Sequence, residues 1–332
     1  MNIGWFSYAP GLHGIEKNSA GNSEWTKHII KLYNENDHNV VWLVDEEAPE
    51  GTIKDKNLHH LDVVIFNWRW EMPDYPERND LYLQQLDILD KCFLFKKKVI
   101  VHDQDHKISA LDLEWLKLHN VDLYAPELNP RPGFKKLFYP NPFVQLYAFR
   151  NKSPFMSTPD LCYIGNVYER YDQAVEYIKK MSRMYTVEVF GNWLEEGPDR
   201  PGEKAVRADL PSVYFGGRLQ QSNVIEKLAS ATATIHLFKP SYAETGFVTF
   251  RWIEAALAHT LAFIPSNFWL PENVKQKWEK LGIIVNNGSD VVRNYNDMSI
   301  KAWKEGVISQ REFVFSISND KQWLDILEAG NV

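Results

Sequence analysis

Two opposite charges, Arg251 and Glu254, interrupt the apolar stretch GFVTFRWIEAALAHTLAFIP at residues 246–265. A spacing of three places both side chains on one helix face, where a surface ion pair contributes less than about 1 kcal/mol. A strand-like run and a loop precede the helix, however, so Arg251 falls in its first turns. The positive helix end and a guanidinium there favour an anion such as a diphosphate. Glu254, one turn later, can accept hydrogen bonds from the hydroxyl groups of a ribose.

Small residues recur where three predicted strands of the second half end. Glycine at a strand end allows a sharp turn or a close approach of the backbone to a ligand. Each pair alone is typical of a turn, whereas three pairs at matching positions favour a binding crevice. Arg170 follows the first pair, where it either meets a phosphate or starts a helix in solvent. The pairs are Gly165-Asn166, Gly191-Asn192 and Gly216-Gly217.

Acidic residues follow a predicted central strand of the first half, in VIVHDQDHK at residues 99–107. The D-x-D spacing of Asp103 and Asp105 is that of carboxylates that grip Mg²⁺ or Mn²⁺. A single carboxylate there could instead act as a general base that takes a proton from an acceptor hydroxyl. The structural alternative is a helix N-cap within a solvated charge cluster. We favour Asp103 as the base because it lies nearest the strand end, with Asp105 as the second choice.

Aromatic and basic residues suggest contacts with nucleic acid in the same half. The segment NWRWEMPDYPER at residues 67–78 follows a strand and is expected to expose Trp68, Arg69 and Trp70, which could stack on or wedge between bases. The alternative is that these rings fold back onto the core. Positive charge is concentrated at Lys96-Lys97-Lys98 and at Arg131, Lys135 and Lys136, where a solvated loop or strand edge is the alternative.

The long loop APGLHGIEKNSAGNSEW, residues 9–25, carries glycines without the GxGxxG spacing, so classical dinucleotide binding is weakly supported. Glu24 begins the helix that follows. Its commonest role is to stabilise the helix start, and a sugar hydroxyl is the alternative partner.

Composition limits the class of protein. The chain has 332 residues, 44% hydrophobic and 24% charged, which suits two domains of about 150 residues. The net charge of −7 argues against coating nucleic acid by bulk electrostatics and requires a local basic surface for such a partner. Cys92 and Cys162 lie apart in apolar runs, which predicts buried thiols in a reducing compartment. An apolar run of about 20 residues is lacking, so we expect a soluble cytoplasmic protein without membrane contact.

Strand-like runs alternate with amphipathic helical patterns along the chain, which is typical of βα units and parallel sheets. A Pro-rich basic segment at residues 131–160 breaks the pattern and is the predicted linker. The sequence therefore predicts an α/β protein of two Rossmann-like halves. We place the first domain at 1–150, joined by a C-terminal helix at 319–332, and the second at 155–318.

These residues resemble the bacteriophage DNA β-glucosyltransferases, and the block FVTFRWIEAALAHTLAFI is the most specific part of that resemblance. It implies the GT-B fold, with two Rossmann-like domains facing a central cleft. It also implies inverting transfer of glucose from UDP-glucose to 5-hydroxymethylcytosine in duplex DNA, with the target base flipped out. By the same resemblance Arg251 contacts the diphosphate, Glu254 the ribose and the segment beside Leu219 the uracil. Glu24 and Asp105 are expected at the sugar and Asp103 is expected to be the catalytic base.

The sequence departs from this family after Gly165, where Tyr168 and Asp172 stand at positions that carry phosphate-directed arginines, which leaves Arg170 as a displaced substitute. The donor is therefore UDP-glucose or a UDP-pentose such as one carrying arabinose. We expect a monomer in the infected bacterial cytoplasm, with no required metal, although Mg²⁺ or Mn²⁺ at Asp103 and Asp105 could stimulate it. The rival hypotheses are a GT-B transferase for a glycan or small molecule, and a non-catalytic nucleotide-sugar or DNA-binding module.

Overall fold

The computed structural model describes residues 1–7, 21–43, 55–71, 79–140, 158–197 and 200–328, and for residues 21–24, 55–57 and 221–222 it describes the backbone alone. The chain divides into two compact units. The first comprises Met1–Pro142 and Asn319–Val332, and the second Phe143–Ser318. The boundary at Pro142 falls within the segment that the sequence predicts as a linker.

The first unit contains, in its described residues, a six-stranded parallel sheet in the order β2-β1-β3-β4-β5-β6. Helices connect β1 to β2, β3 to β4 and β4 to β5, whereas a loop at residues 126–133 connects β5 to β6. A 3₁₀ turn at Asp55–His60 precedes β3. The strands are β1 (Asn2–Phe6), β2 (Asn39–Trp42), β3 (Val63–Asn67), β4 (Lys98–His102), β5 (Asp122–Ala125) and β6 (Phe134–Lys136). The helices are α1 (Gly21–Glu35), α2 (Asp80–Leu94), α3 (Ala110–Leu118) and, from the end of the chain, α11 (Lys321–Glu328).

The second unit is built in the same way, and its described residues form a six-stranded parallel sheet in the order β11-β8-β7-β12-β13-β14. This is a doubly wound order: β8 and β11 lie on one side of β7, the first strand of the unit, and β12, β13 and β14 lie on its other side. The switch point lies between β7 and β12. The strands are β7 (Leu161–Ile164), β8 (Val187–Phe190), the β9 (Glu196–Gly197) and β10 (Arg200–Pro201) hairpin, β11 (Tyr214–Phe215), β12 (Ala233–Ile235), β13 (Leu261–Pro265) and β14 (Ile284–Val285).

The helices of the second unit cover its sheet. They are α4 (Tyr171–Ser182), α5 (Gly202–Asp209), α6 (Gln221–Ser230), α7 (Phe250–Leu257), α8 (Glu272–Lys280), α9 (Gly288–Asp297) and α10 (Ile300–Ile317), and a 3₁₀ turn lies at Pro240–Tyr242. Among the helices that the structure describes, none combines the length and apolar character that crossing a membrane requires.

Burial explains why the central strands could be predicted from apolar runs. Every residue of β3 and of β13 is buried, as expected for parallel strands covered on both faces. Cys92 and Cys162 are buried free thiols, as predicted, and burial raises the pKa of Cys92 to about 12. Three short elements were missed. β6 lies inside the predicted linker, and α5 and the β9–β10 hairpin lie in the largely polar stretch between β8 and β11.

The C-terminal helix α11 completes the core of the first unit. Trp323 is fully buried, its indole Nε1 donates to the Phe138 carbonyl (2.8 Å), and its ring centroid lies 6.2 Å from that of Trp5. The Tyr33 hydroxyl donates to the Trp323 carbonyl (2.9 Å), and an imidazole–carboxylate contact joins His28 to Asp320 (2.9 Å). The last helix is therefore part of the first unit's packing.

We predict that Trp323→Ala lowers the free energy of unfolding of the first unit by about 3–5 kcal/mol, because it leaves a cavity among large rings. Urea denaturation followed by tryptophan fluorescence measures the loss. Trp115→Ala, on the half-buried face of α3, is the comparison and should cost less. If Trp323→Ala lowers the free energy of unfolding by no more than the small loss expected for Trp115→Ala, α11 is dispensable for the core.

Candidate functional site

The loops after β7, β8 and β11 interlock at the carboxyl edge of the second sheet. The Gly165 amide donates to the Phe190 carbonyl (2.9 Å), and the Gly191 amide donates to the Gly217 carbonyl (2.7 Å). Gly191 has a φ of +135°, and a Cβ there would lie 2.1 Å from the Gly165 carbonyl oxygen. A side chain cannot fit between backbones this close. The three glycine pairs predicted from sequence are thus brought together at one edge.

Asparagines link two of these loops to each other. The Asn192 amide donates to Asn166 Oδ1 (3.4 Å), and Asn192 Oδ1 accepts from the Val167 amide (3.3 Å). The Trp193 indole donates to the Gly165 carbonyl (2.7 Å) and holds the same turn. Asn192 is buried and Asn166 is exposed. Both residues therefore shape the crevice, and a direct contact of either with a nucleotide stays a prediction.

Helix α7 begins where the sequence places it, and Arg251 lies in its first turn. The N-cap residue Thr249 makes no side-chain hydrogen bond to the helix start, so its hydroxyl does not satisfy the first amide groups. Arg251 Nη1 donates to Glu254 Oε2 (2.5 Å), with the arginine 36% exposed and the glutamate 4% exposed. The predicted ion pair exists, and it is half-buried at a helix N-terminus rather than on an open surface.

A second arginine lies near this helix start. Burial raises the pKa of the Tyr163 phenol, and the positive charges of Arg170 and Arg251 oppose that rise. Arg251 and Tyr163 line the same pocket. Arg170 is the N-cap of α4, and its Nη1 donates to the Tyr168 carbonyl (3.1 Å). Tyr163 is the second-last residue of β7, beside the switch point. The structure therefore gathers positive charge where doubly wound sheets bind ligands.

Leu219 lies on the segment that links β11 to α6, with its side chain partly exposed. It follows the Gly216-Gly217 turn at the same edge of the sheet. A Cβ atom added to Gly216 would lie 2.0 Å from Cε1 of the Phe190 ring, so this turn also excludes a larger residue. The backbone beside Leu219 borders the crevice, and its contact with a base stays a prediction.

Asp103 follows β4 in the first unit, as predicted, but it is buried rather than solvated. Its Oδ1 accepts from the Lys107 amide (2.8 Å) and its Oδ2 from Arg131 Nη2 (2.7 Å). Arg131 also forms an ion pair with the fully buried Glu127 (2.7 Å). Burial raises the pKa of Glu127, and the charge of Arg131 opposes the rise. The alternative of a solvated charge cluster does not hold for Asp103, because an arginine 28 residues later in the chain compensates the buried carboxylate.

The D-x-D pair does not form a metal site by itself. Asp105 is half-exposed on the turn after Asp103, and His106 lies in the left-handed region at φ 56°. Within the described residues, no group of three or more His, Cys, Asp or Glu side chains is arranged to hold an ion. The Asp103 oxygens already accept from an arginine and from backbone amides. These contacts suit a carboxylate that is paired with an arginine better than one that coordinates a divalent cation.

Trp68 is a core residue, which corrects its predicted exposure. It is 1% exposed and packs in the apolar cluster between β3 and α2, where its large ring is better buried than solvated. The backbone of Arg69, the residue after Trp68, is bound by the buried side-chain amide of Gln85. This amide accepts from the Arg69 backbone N–H (2.8 Å) and donates to the Arg69 carbonyl (3.0 Å). Arg69 stacks over the half-buried Trp70 at 5.0 Å. Trp68 thus anchors a segment that presents the Arg69–Trp70 pair.

The basic residues have structural partners. Lys97 Nζ donates to the His59 and Leu61 carbonyls (2.8 Å each), and Lys98 Nζ donates to the last carbonyls of α11. Lys135 pairs with Asp122 (2.6 Å) on the edge strand β6, and Lys136 is exposed beside it. The side chain of Glu24 lies outside the described residues, although α1 does begin near it. DNA contacts by Lys135 and Lys136 remain a prediction.

Comparison with known proteins identifies the architecture. No family model and no curated protein matches the sequence. The solved T4 phage beta-glucosyltransferase superposes with a TM-score of 0.64 at 16% identity, covering 99% of this chain and 98% of that chain. Trehalose-6-phosphate synthase OtsA superposes with a TM-score of 0.54 at 8% identity, covering 98% of both chains. The chain has the GT-B fold. A glycosyltransferase of avilamycin A biosynthesis also matches, with a TM-score of 0.50 at 14% identity and coverage of 99% and 98%.

The GT-B fold predicted from sequence is confirmed, and at these identities the likeness shows the fold alone. Several residues of this GT-B protein were missed by sequence reasoning. Tyr163 and His236 sit at the ends of β7 and β12, so their place beside the switch point was a usable signal. Gln85 with Arg69, and Arg131 with Asp103, make contacts between residues distant in sequence, which no local pattern reveals, whereas the i,i+4 spacing of Glu127 and Arg131 was a usable signal.

We predict that Arg131→Ala lowers the free energy of unfolding by about 3–5 kcal/mol, because it leaves two buried carboxylates without their counter-charge. Lys135→Ala breaks the exposed pair with Asp122 and should cost less than about 1 kcal/mol. Chemical denaturation at pH 7 compares them. Similar small losses in both variants would mean that the Asp103–Arg131–Glu127 network contributes little to stability.

We also predict that the stability of this GT-B protein falls as the pH drops below about 6.5. Burial lowers the pKa of His102 to about 4 and that of His236 to about 3. Each ring stays neutral when folded but is protonated near pH 6.5 when unfolded, so the unfolded state binds more protons and stability is lost on acidification. Each histidine contributes at most about 1.4 kcal/mol per pH unit. Urea midpoints between pH 7 and 4.5 should show a steeper fall in the wild type than in His236→Phe.

Proposed function

We propose that the protein is an inverting glycosyltransferase that moves a sugar from a UDP-sugar to the hydroxymethyl group of 5-hydroxymethylcytosine in double-stranded DNA. The observation that carries this proposal is the start of α7, where Arg251 and Glu254 pair beside the switch point of a GT-B fold. The T4 phage beta-glucosyltransferase of the same fold has been solved with its UDP-glucose substrate. The donor would be UDP-glucose or a UDP-pentose.

The second unit would bind the nucleotide. Arg251 and Arg170 supply positive charge near Tyr163, and the start of α7 supplies amide donors, so a diphosphate fits there. In the complex the Arg251 guanidinium would exchange part of its contact with Glu254 for a phosphoryl oxygen. Glu254 could then accept from the ribose hydroxyls. The glycine turns after β7, β8 and β11 would let the base and ribose lie against backbone.

Asp103 of the first unit would act as the general base. An alcohol is a poor nucleophile at neutral pH, and a carboxylate that takes its proton makes attack on the anomeric carbon feasible. Arg131 and the Lys107 amide fix the orientation of this carboxylate. The alcohol oxygen would form the new bond from the face opposite UDP, and the departing diphosphate would receive the developing charge beside Arg251. We place Glu24 and Asp105 at the sugar.

A base must leave the duplex for its hydroxymethyl group to be reached, because enzymes that modify bases extrude them. Arg69 and Trp70 support this step, since an anchored segment presents a stacked cation and ring. Lys135 and Lys136 would meet phosphates from the exposed strand β6. The acidic total of −7 does not prevent local phosphate contacts, because their strength depends on nearby charge.

A transferase for a glycan or small molecule is the second candidate. The net charge of −7 and the pairing of Lys135 with Asp122 favour it, because both weaken an electrostatic surface for DNA. It keeps the nucleotide site and removes the base-flipping step. Release of UDP that depends on added hydroxymethylated DNA distinguishes the two candidates.

We predict that Arg251→Ala and Glu254→Ala each weaken UDP binding by about 1–3 kcal/mol, because one removes a charge-assisted phosphate contact and the other a ribose acceptor. Titration calorimetry measures the affinities. Arg293→Ala is a matched control, since Arg293 and Asp290 form another i,i+3 pair (2.7 Å) on helix α9. Unchanged UDP affinity in folded Arg251→Ala would return this pair to a purely structural role.

We predict that Asp103→Asn lowers the transfer rate by about 10²–10⁴ and leaves UDP affinity largely unchanged, because it removes the base and not the donor site. Asp105→Asn should have a smaller effect. Mass spectrometry of hydroxymethylated duplex DNA incubated with a panel of UDP-sugars reports both the rate and the sugar. If Asp103→Asn transfers at the wild-type rate, the assignment of the base is wrong. If the wild type modifies no DNA yet turns over with small acceptors, the second candidate replaces the first.

A further inference from the structure

His236 is a buried polar residue at the switch point that no role above uses. It directly follows β12, is 4% exposed, and its Nε2 atom has no hydrogen-bond partner among the residues that the structure describes. The imidazole lines a narrow pocket together with Tyr163, Thr234, Arg251 and Trp252. An unpaired buried nitrogen costs about 1–3 kcal/mol, so its presence beside an arginine calls for a partner.

Aromatic rings fix the orientation of this imidazole. Trp252 lies 5.2 Å from it between ring centroids, Phe268 lies 4.8 Å away at 88°, and Phe238 lies 5.7 Å away. Phenylalanine would match this apolar surrounding without leaving a nitrogen unpaired. The histidine is therefore held rigidly by packing that does not itself require histidine.

The imidazole is neutral at physiological pH. Burial and, to a lesser extent, the nearby charge of Arg170 together lower its pKa to about 3. A neutral ring has one donor nitrogen and one acceptor nitrogen, and its partners select the tautomer. His236 can therefore contribute a directed hydrogen bond without adding a third positive charge to Arg170 and Arg251.

We propose that His236 Nε2–H donates a hydrogen bond to a phosphoryl oxygen of the UDP-sugar diphosphate, next to the Arg251 guanidinium. This inference rests on the proposed function of the same site. A phosphoryl oxygen is favoured over a sugar hydroxyl because Arg251 shares the pocket and the charge of Arg170 also acts on the ring. The neutral donor orients the diphosphate, and the arginines supply the attraction. An ordered water on Nε2 is the competing explanation.

The test is to measure UDP and uridine affinities by calorimetry for the wild type, His236→Phe and His236→Gln. His236→Phe should lower UDP affinity about 10-fold or more and leave uridine affinity unchanged, because a hydrogen bond to a charged group is lost. Its urea midpoint should not fall, because the unpaired nitrogen is removed and the aromatic packing is kept. His236→Gln retains a donor and should recover part of the UDP affinity, which also covers the case of a poorly folded Phe variant.

His259→Asn is the matched control. His259 is likewise buried and lies beyond the other end of α7, where it contacts Arg311 (2.6 Å). This change should alter stability and leave UDP affinity unchanged. If folded His236→Phe binds UDP as the wild type does, while Arg251→Ala binds it more weakly, only the role of His236 is overturned. If the wild type does not bind UDP, or Arg251→Ala binds it equally well, the proposed nucleotide site itself is wrong.

Discussion

Parallel strand pairing is the constraint on which both units depend. Strands that run in one direction leave every βα loop at the same edge of the sheet, and both faces must be covered by helices. In the second unit, the order of strands puts β7 and β12 side by side although their sequences lie about 70 residues apart. Tyr163 and His236 therefore meet at the switch point with no local signal that links them.

Close packing of loops and concentration of charge go together at that edge. Gly191 and Gly165 allow two turns to touch, and the asparagines that follow them stitch the loops with side-chain hydrogen bonds. The linked loops have a fixed backbone, whereas the Arg251 side chain is 36% exposed and is freer to change conformation than its partner Glu254, which is 4% exposed. A fixed backbone with a movable cation suits a ligand that must be oriented and then released.

The first unit manages charge differently. Asp103 and Glu127 are both buried and both form ion pairs with the Arg131 guanidinium. Burying these charges costs desolvation energy, and well-packed apolar residues usually stabilise a core as well or better. Such a costly network is expected where one of its carboxylates has a function. Its presence supports the role proposed for Asp103, because Arg131 keeps that carboxylate oriented.

Sequence patterns predicted the central strands, the crossover helices and the position of Arg251 because these follow from apolar runs and helix starts. They failed for β6, which has three residues in a Pro-rich basic segment, and for α5, whose sequence is largely polar. They also misjudged the exposure of Trp68, whose burial depends on partners in other elements. Local composition does not encode such long-range contacts, which is also why the sequence could not exclude the solvated alternative for Asp103.

The C-terminal helix has a consequence for how the chain is made. Trp323 packs against Trp5 and Trp25, so the core that begins with β1 is closed by a helix that is synthesised after the whole second unit. The second unit is contiguous in sequence and can collapse while the chain is still being synthesised, whereas the first must wait with part of its aromatic surface uncovered. The first unit is therefore completed only after the second unit has been synthesised, and a chain that stops before α11 would expose an apolar surface to chaperones and proteases.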